Sequence, residues 1–252
     1  QYFNIRPPQK KIKKNSDYFA SQSIWNLIKN KNILDVLQKL IGKEILSNPV
    51  QNSRIKQPEK YLKKNGLNDG LTGRTPWHQD GGVLTNVGQK STDLITCWIP
   101  FTKTTIKNGC MLTIPGLHKK GLFNHNKDPK GQAILRHNEL LNKYKTVSLE
   151  ANPGDIVLLG KHTPHCSLPN LSRDFRISMD LRYHKGGQPS GRDSLPSFYV
   201  KSKNKKNIKV TNCKQWLTLW EKAKQKCVPR GYTFKYGTPS LKDTKRDLIN
   251  LI

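Results

Sequence analysis

The stretch Trp77-His78-Gln79-Asp80-Gly81-Gly82 sets a histidine and a carboxylate two residues apart, at the end of a basic, glycine-rich segment. In an extended strand, residues i and i+2 point to the same face, so His78 and Asp80 can both reach one metal ion. An H-x-D pair is weak by itself. A metal centre also needs a third ligand, open coordination positions and an anchor for a co-substrate. Gly160-Lys161-His162-Thr163-Pro164-His165-Cys166-Ser167 offers two histidines, His162 and His165, for the third place. Cys166 is a poor ligand, because it cannot easily share a face with its neighbour His165. Two histidines and one carboxylate cover one face of an octahedral ion and leave three positions open, which suits non-haem Fe(II). Zinc more often takes three histidines or adds sulfur.

Open positions on Fe(II) call for an electron-donating co-substrate that activates O2. A 2-oxo acid chelates through its keto oxygen and adjacent carboxylate. Its far carboxylate then needs a fixed cation, and arginine suits that task through its bidentate geometry. Asp174–Tyr183 has the clearest period-2 pattern in the chain, with Phe175, Ile177, Met179 and Leu181 on one face. Arg176, Ser178, Asp180 and Arg182 lie on the other. Arg176 is therefore the candidate anchor, with the Ser178 hydroxyl on the same face.

The elements that must position these residues are short strands bracketed by helices. Residues 1–15 read as a basic arm and residues 16–42 as helices. The second helix should bury Ile33, Leu34, Val36, Leu37, Leu40 and Ile41, with Asn32 as N-cap and Gly42 after its end. Glu44–Leu46 and Ser53–Lys56 read as extended. Gln57–Pro76 reads as a long loop, a candidate lid or substrate loop. Asp93–Phe101 is a strand apolar enough to be buried on both faces. Asn108-Gly109 is a turn before a strand over Cys110–Ile114. Ala133–Leu141 has a weak helical pattern, and Thr146–Leu149 and Asp155–Leu159 are strands. After Gly191 the pattern returns to helix, with Asn212 capping a segment that carries Trp216, Leu217, Leu219 and Trp220. Ser240 is a candidate cap for a final short helix. A single domain follows, mainly β with flanking helices: a barrel or jelly-roll core over residues 44–184 and a helical extension over 192–252.

Composition bounds the partners. The chain of 252 residues carries 45 Lys and Arg against 17 Asp and Glu, a net charge of +28. Such a balance favours an anionic partner. The lysines are spread through every segment, which argues for a compositional origin over a dedicated nucleic-acid surface. Cys97, Cys110, Cys166, Cys213 and Cys227 are odd in number and form no C-x-x-C pair. That argues against a disulfide framework and for a reducing, intracellular and most simply cytoplasmic location. The chain begins at Gln1, so a removed targeting peptide stays open. No apolar run is long enough to span a membrane.

Taken together the motifs resemble those of the phytanoyl-CoA dioxygenase family of Fe(II)/2-oxoglutarate oxygenases. The matching residues are Ser53-Arg54-Ile55-Lys56-Gln57-Pro58, Trp77-His78-Gln79-Asp80, Asn108-Gly109-Cys110-Met111 and Pro115-Gly116-Leu117-His118-Lys119. Pro153-Gly154-Asp155, His165, Pro169-Asn170 and Arg176 follow in order. The resemblance covers roughly residues 33–184 and implies a cupin-like double-stranded β-helix. It implies iron on His78, Asp80 and His165, and the distal carboxylate of 2-oxoglutarate on Arg176. The resemblance also implies an eleven-residue step from ligand to arginine, which selects His165 over His162. Ser178, Thr96, Ser167 and Lys56 are the further co-substrate candidates, and Trp98, Arg74 and Arg182 the candidates for the substrate pocket. The family carries more chain before its first long helix, and the tail after Gly191 resembles only a subset of it. The implied activity is O2-dependent oxidation of a C–H bond of a small anionic metabolite, such as a carboxylic acid or acyl-CoA, with release of succinate and CO2. Hydroxylation is the simplest outcome; desaturation and cyclisation begin with the same hydrogen abstraction. Asp80 argues against halogenation, for which related enzymes carry Gly or Ala at that place. The alternative is a non-catalytic or macromolecule-directed member that binds nucleic acid or anionic lipid through its basic surface.

Overall fold

A computed structural model describes residues 21–64, 75–84, 86–128, 131–134, 142–192, 195–227, 234–235 and 238–239. The basic arm, Arg74 and the helix expected after Ser240 lie outside these residues. The described chain is mainly β, with antiparallel strands and few helices. It forms two compact units interleaved in sequence. The first is drawn from Gln1–Asn52, Thr85–Ile95 and Leu181–Asn250, the second from Ser53–Leu84, Thr96–Asp180 and Leu251–Ile252.

In the first unit, helices α1 (Gln22–Ile28), α2 (Lys31–Ile41) and α5 (Cys213–Cys227) accompany strands β1 (Ile45–Ser47) and β12 (Phe198–Lys201). β1 runs between β12 and the second half of β11 (Arg176–Lys185), with Leu46 opposite His184 and Ser47 opposite Phe198. A short helix α4 (Asn86–Ser91) completes the unit. α2 buries Ile33, Leu34, Leu37 and Ile41, one helical stripe. Val36 and Leu40, expected in the core, are instead 47% and 55% exposed, because they fall outside the width of that stripe. The cap is Asn30 rather than Asn32: its side chain accepts the amides of Asn32 and Ile33, and Gly42 closes the helix at φ 89°. Asn212 caps α5 as expected, accepting the Gln215 amide. Of the apolar residues expected to pack α5, Trp216 is the fully buried one, and it contacts the rings of Trp25 and Phe198.

The second unit holds β2 (Asn52–Lys56), β3 (Thr75–His78), β4 (Leu94–Pro100), β5 (Met111–Thr113), β8 (Val147–Leu149), β9 (Val157–Gly160), β10 (His165–Ser167) and the first half of β11. One sheet has the order β3-β10-β5-β8. In the other set β11 pairs with β2 and β4, and β4 with β9. Trp77, Ile114, Leu117 and Cys166 form one apolar cluster, and Trp98, Met111, Ala151 and Leu159 another. The expected loop after Gln57 contains helix α3 (Glu59–Lys64), which follows Pro58 and buries Leu62. Ala133 and Ile134, expected to start a helical section, belong to a hairpin of β6 (His125–Asp128) and β7 (Gly131–Ile134). β11 alternates as expected, but both faces are buried over most of its length, so its polar row points inward with its apolar row. Phe175 stands before the strand and is exposed.

Trp216→Ala should cost about 3–5 kcal/mol in urea unfolding, whereas Leu40→Ala on the open side of α2 should stay within about 0.5 kcal/mol. His184 is buried, accepts from Asn48 Nδ2 at 3.3 Å, and its imidazole is pushed by burial down to about 4. The unfolded chain takes up that proton near 6.5, the folded one near 4. Stability should therefore fall on acidification through this window, by up to about 1.4 kcal/mol per pH unit. Melting His184→Gln across the same pH range should give a shallower slope than the parent.

Candidate metal centre

β3 and β10 pair so that His78 and His165 sit directly opposite, with ring centroids 4.2 Å apart. The β3 ladder ends at His78, and Asp80 opens a 3₁₀ turn (Asp80–Val83) rather than continuing the strand. Gln79 between them keeps extended angles, φ −121° and ψ 140°, so Asp80 still returns to the face of His78. One ligand atom from each of His78, Asp80 and His165 lies within 4.8 Å of the other two, and all three residues are buried. This is the constellation that the sequence predicts.

Hydrogen bonds fix what each ligand presents. His78 Nδ1 donates to the Pro76 carbonyl and His165 Nδ1 to the Thr163 carbonyl, both at 2.9 Å. A carbonyl can only accept, so Nδ1 carries the proton in each ring, which directs Nε2 to be the nitrogen offered to a metal. Burial, with His165 close by, holds the His78 imidazole down to about 3, so the ring is neutral at ordinary pH. Thr96 Oγ1 donates to Asp80 Oδ2 at 2.5 Å. Thr96 thus bears on the metal carboxylate itself.

A second group of candidates gathers around two cations. Arg176 is buried; its guanidinium donates to Ser178 Oγ at 2.5 Å and to the Gly109 carbonyl at 3.2 Å, and lies over the Trp98 ring at 5.6 Å. Its Nε has no hydrogen-bond partner, and burial pulls the group down to about 10, still protonated at neutral pH. Lys56 is also buried and donates to Ser167 Oγ at 2.7 Å and to the Leu168 carbonyl. Burial, then the charges of Arg176 and Arg54, push its ammonium well below the usual lysine range. Neither Arg176 nor Lys56 forms an ion pair with a described residue. Arg54 instead pairs with Asp180 at 3.2 Å. Arg182 falls in the first unit, where it donates to the Val50 carbonyl at 3.1 Å.

The Asn108-Gly109 turn does more than join strands. Gly109 has φ +88°, and a Cβ there would lie 2.6 Å from both the Leu168 carbonyl oxygen and Lys56 Cδ. Glycine lets the backbone come close enough for its carbonyl to reach Arg176. Asn170 ties the same region together, donating to the carbonyls of Lys56 and Asp174. Reading the sequence for chemistry missed Gln79 and His125, which bond to each other beside the ligands. The available signal was Gln79 itself, a polar residue on the reverse face of a strand whose forward face holds ligands.

The phytanoyl-CoA dioxygenase family model matches residues 4–178. The chain belongs to this family. A probable phytanoyl-CoA dioxygenase of Caenorhabditis elegans is 28% identical over 180 residues, 69% of this chain and 55% of that protein. The 1-deoxypentalenic acid 11-beta-hydroxylase of Streptomyces arenae is 31% identical over 139 residues, 52% of this chain and 48% of that one. The chain thus spans about half the length of these relatives. The crystal structure of the epimerase SnoN with Fe3+, alpha ketoglutarate and nogalamycin RO matches with TM-score 0.53 at 19% identity, over 68% of this chain and 63% of that one. The fold is accordingly the double-stranded β-helix, the jelly roll expected from the sequence. No helix among the described residues is long and apolar enough to cross a membrane.

Two glycine variants separate the turn's strain from its contacts. Gly154 also has a left-handed angle, φ +99°, but nothing lies within 4 Å of its Cβ position. Gly154→Ala should cost about 1–2 kcal/mol in urea unfolding, the conformational penalty alone. Gly109→Ala carries that penalty and the backbone collision, and should cost at least about 2 kcal/mol more.

Proposed function

We propose that the chain is a non-haem Fe(II)- and 2-oxoglutarate-dependent dioxygenase that hydroxylates a C–H bond of a small anionic metabolite. The observation that carries this reading is the convergence of His78, Asp80 and His165 on one point. Two neutral imidazole nitrogens and one carboxylate oxygen suit a hard-to-borderline divalent ion with positions to spare. The buried Arg176, whose Nε has no partner and which forms no ion pair among the described residues, suits a carboxylate. When bound, Fe(II) with 2-oxoglutarate and O2 supplies the oxidising power for C–H cleavage and releases succinate and CO2.

The chain's own residues bind, orient and exclude water. His78, Asp80 and His165 would hold the iron, and the Thr96 hydroxyl restrains one oxygen of Asp80. Arg176 and Ser178 would take the distal carboxylate of 2-oxoglutarate. Lys56, held by Ser167 and the Leu168 carbonyl, adds a hydrogen-bond donor to the same region. Trp98 covers one face of the guanidinium with an apolar ring, which keeps water from it and strengthens its pull on an anion. The relative named for a hydroxylation of 1-deoxypentalenic acid supports both a hydroxylase and an acidic substrate.

Succinate release from 2-oxoglutarate with Fe(II), scored over a panel of carboxylic acids, checks this function. Asp80→Ala and His165→Ala should abolish it. Arg176→Lys should keep metal binding and raise the KM for 2-oxoglutarate about tenfold or more, because a point charge replaces a fork. A wild-type chain that binds no iron and releases no succinate with any acid would show the reading to be wrong.

A further inference from the structure

The turn that carries Asp80 lies beyond the end of the β3 ladder, so something other than a strand partner must hold it. Gln79 is fully buried; its carbonyl accepts the Gly82 amide at 2.9 Å within the turn, and its other groups bond to two neighbouring segments. Its side-chain Nε2 donates to the Gly121 carbonyl at 2.8 Å and to the His162 carbonyl at 2.7 Å, while its Oε1 accepts the Phe123 amide at 2.7 Å. Its main-chain amide donates to His125 Nε2 at 3.0 Å. An amide N–H can only donate, so His125 Nε2 is the bare nitrogen. Nδ1 then carries the proton and donates to the Phe123 carbonyl at 2.7 Å. One neutral tautomer satisfies both ring nitrogens.

The two glycines after Asp80 are both closely packed. A Cβ on Gly82 would lie 2.7–2.8 Å from three atoms of the His125 ring, so the imidazole rests on bare backbone. A Cβ on Gly81 would lie 3.1 Å from the Lys161 carbonyl oxygen, which accepts the Gly81 amide at 2.8 Å. The segment from Gln79 to Gly82 is thus gripped by residues 121–125 and by 160–163, the latter leading directly to His165.

We infer that His125 is a positioning residue of the metal centre, setting the direction of the Asp80 carboxylate by fixing the 78–79 peptide and the backbone of Gly82. This rests on the triad being the metal site. The direction of a side chain follows its backbone angles, and a metal ligand tolerates displacement of only about 0.2 Å. Rotation of the 78–79 peptide moves Asp80 relative to His78, and the Gln79 amide bond to His125 opposes that rotation. Both ring nitrogens of His125 are already committed, Nε2 to the Gln79 amide and Nδ1 to the Phe123 carbonyl, so the ring acts through the backbone and not as a ligand.

Titrating the full metal-free chain with Co(II), read by calorimetry and by the visible spectrum of the bound ion, tests the role without turnover. His125→Ala should weaken Co(II) binding about tenfold or more and alter the spectrum, with the thermal melt confirming the fold. His125→Gln, whose Oε1 can accept the same amide, should recover most of the affinity. Gly82→Ala leaves the imidazole in the chain but pushes it off the turn, and should reproduce the loss; it stands in if the alanine variant at 125 does not fold. Wild-type affinity in both His125→Ala and Gly82→Ala would overturn the role, as would a glutamine variant no better than alanine. A wild-type chain that binds no Co(II), Fe(II) or Mn(II) would overturn the ligand assignment itself. Unchanged tight binding in the variants would overturn only the part given to His125.

Discussion

Taking a cationic group out of water without a counter-charge is costly, and the second unit buries two. Among the described residues Arg176 and Lys56 are each met by neutral oxygens, a serine hydroxyl and a main-chain carbonyl apiece, and Lys56 is held well below the usual lysine range. Much of the surrounding construction follows from that. Gly109 must be glycine for its carbonyl to approach the guanidinium past the stem of Lys56. Ser167 faces inward to receive the ammonium and also accepts the Thr75 amide at the start of the strand that carries His78. Asp180, the nearby carboxylate, is engaged by Arg54. Such a region is stabilised by whatever brings negative charge to it, and this links the binding of an acid to the ordering of the protein around it.

The candidate metal centre and the candidate anion anchor draw on consecutive strands, β10 and β11. β10 supplies His165 and, two residues on, Ser167; β11 supplies Arg176 and Ser178. A short strand with side chains alternating by two therefore ties a metal ligand to the partner of a buried lysine. A register slip of one residue in β10 would move both to the wrong face at once. The cross-strand pairs His165–His78 and Ser167–Thr75 hold that register even though the ladder is irregular between them.

The His-x-Asp pair and the polar row of the last long strand were legible in the sequence because a period of two survives whatever the tertiary context. The fold class was legible from the succession of short strands between helices. Choosing His165 over His162 needed the family resemblance, since both lie in the same short segment; in the structure His162 uses its carbonyl to receive Gln79. Gln79 and His125 escaped notice for a physical reason: their bonds join residues 42 to 83 positions apart, and no local pattern encodes them. Errors in α2 were local. Asn30 and Asn32 are equally good caps by type, and an apolar stripe drawn too wide took in Val36 and Leu40. Thr96, a co-substrate candidate from the sequence, bonds to Asp80, a contact that strand alternation alone does not specify.

The imidazoles of the two candidate ligands, His78 and His165, are oriented by carbonyls two residues before each, at Pro76 and Thr163. Those acceptors are main-chain atoms, so the instruction that aims each ring is written in the path of the backbone and not in the identity of a side chain. Positions 76 and 163 are therefore free to change residue type wherever the path is kept. Imidazoles aimed in this way can pass through extensive sequence divergence and stay directed, whereas Asp80, held through the side chains of Thr96 and His125, cannot.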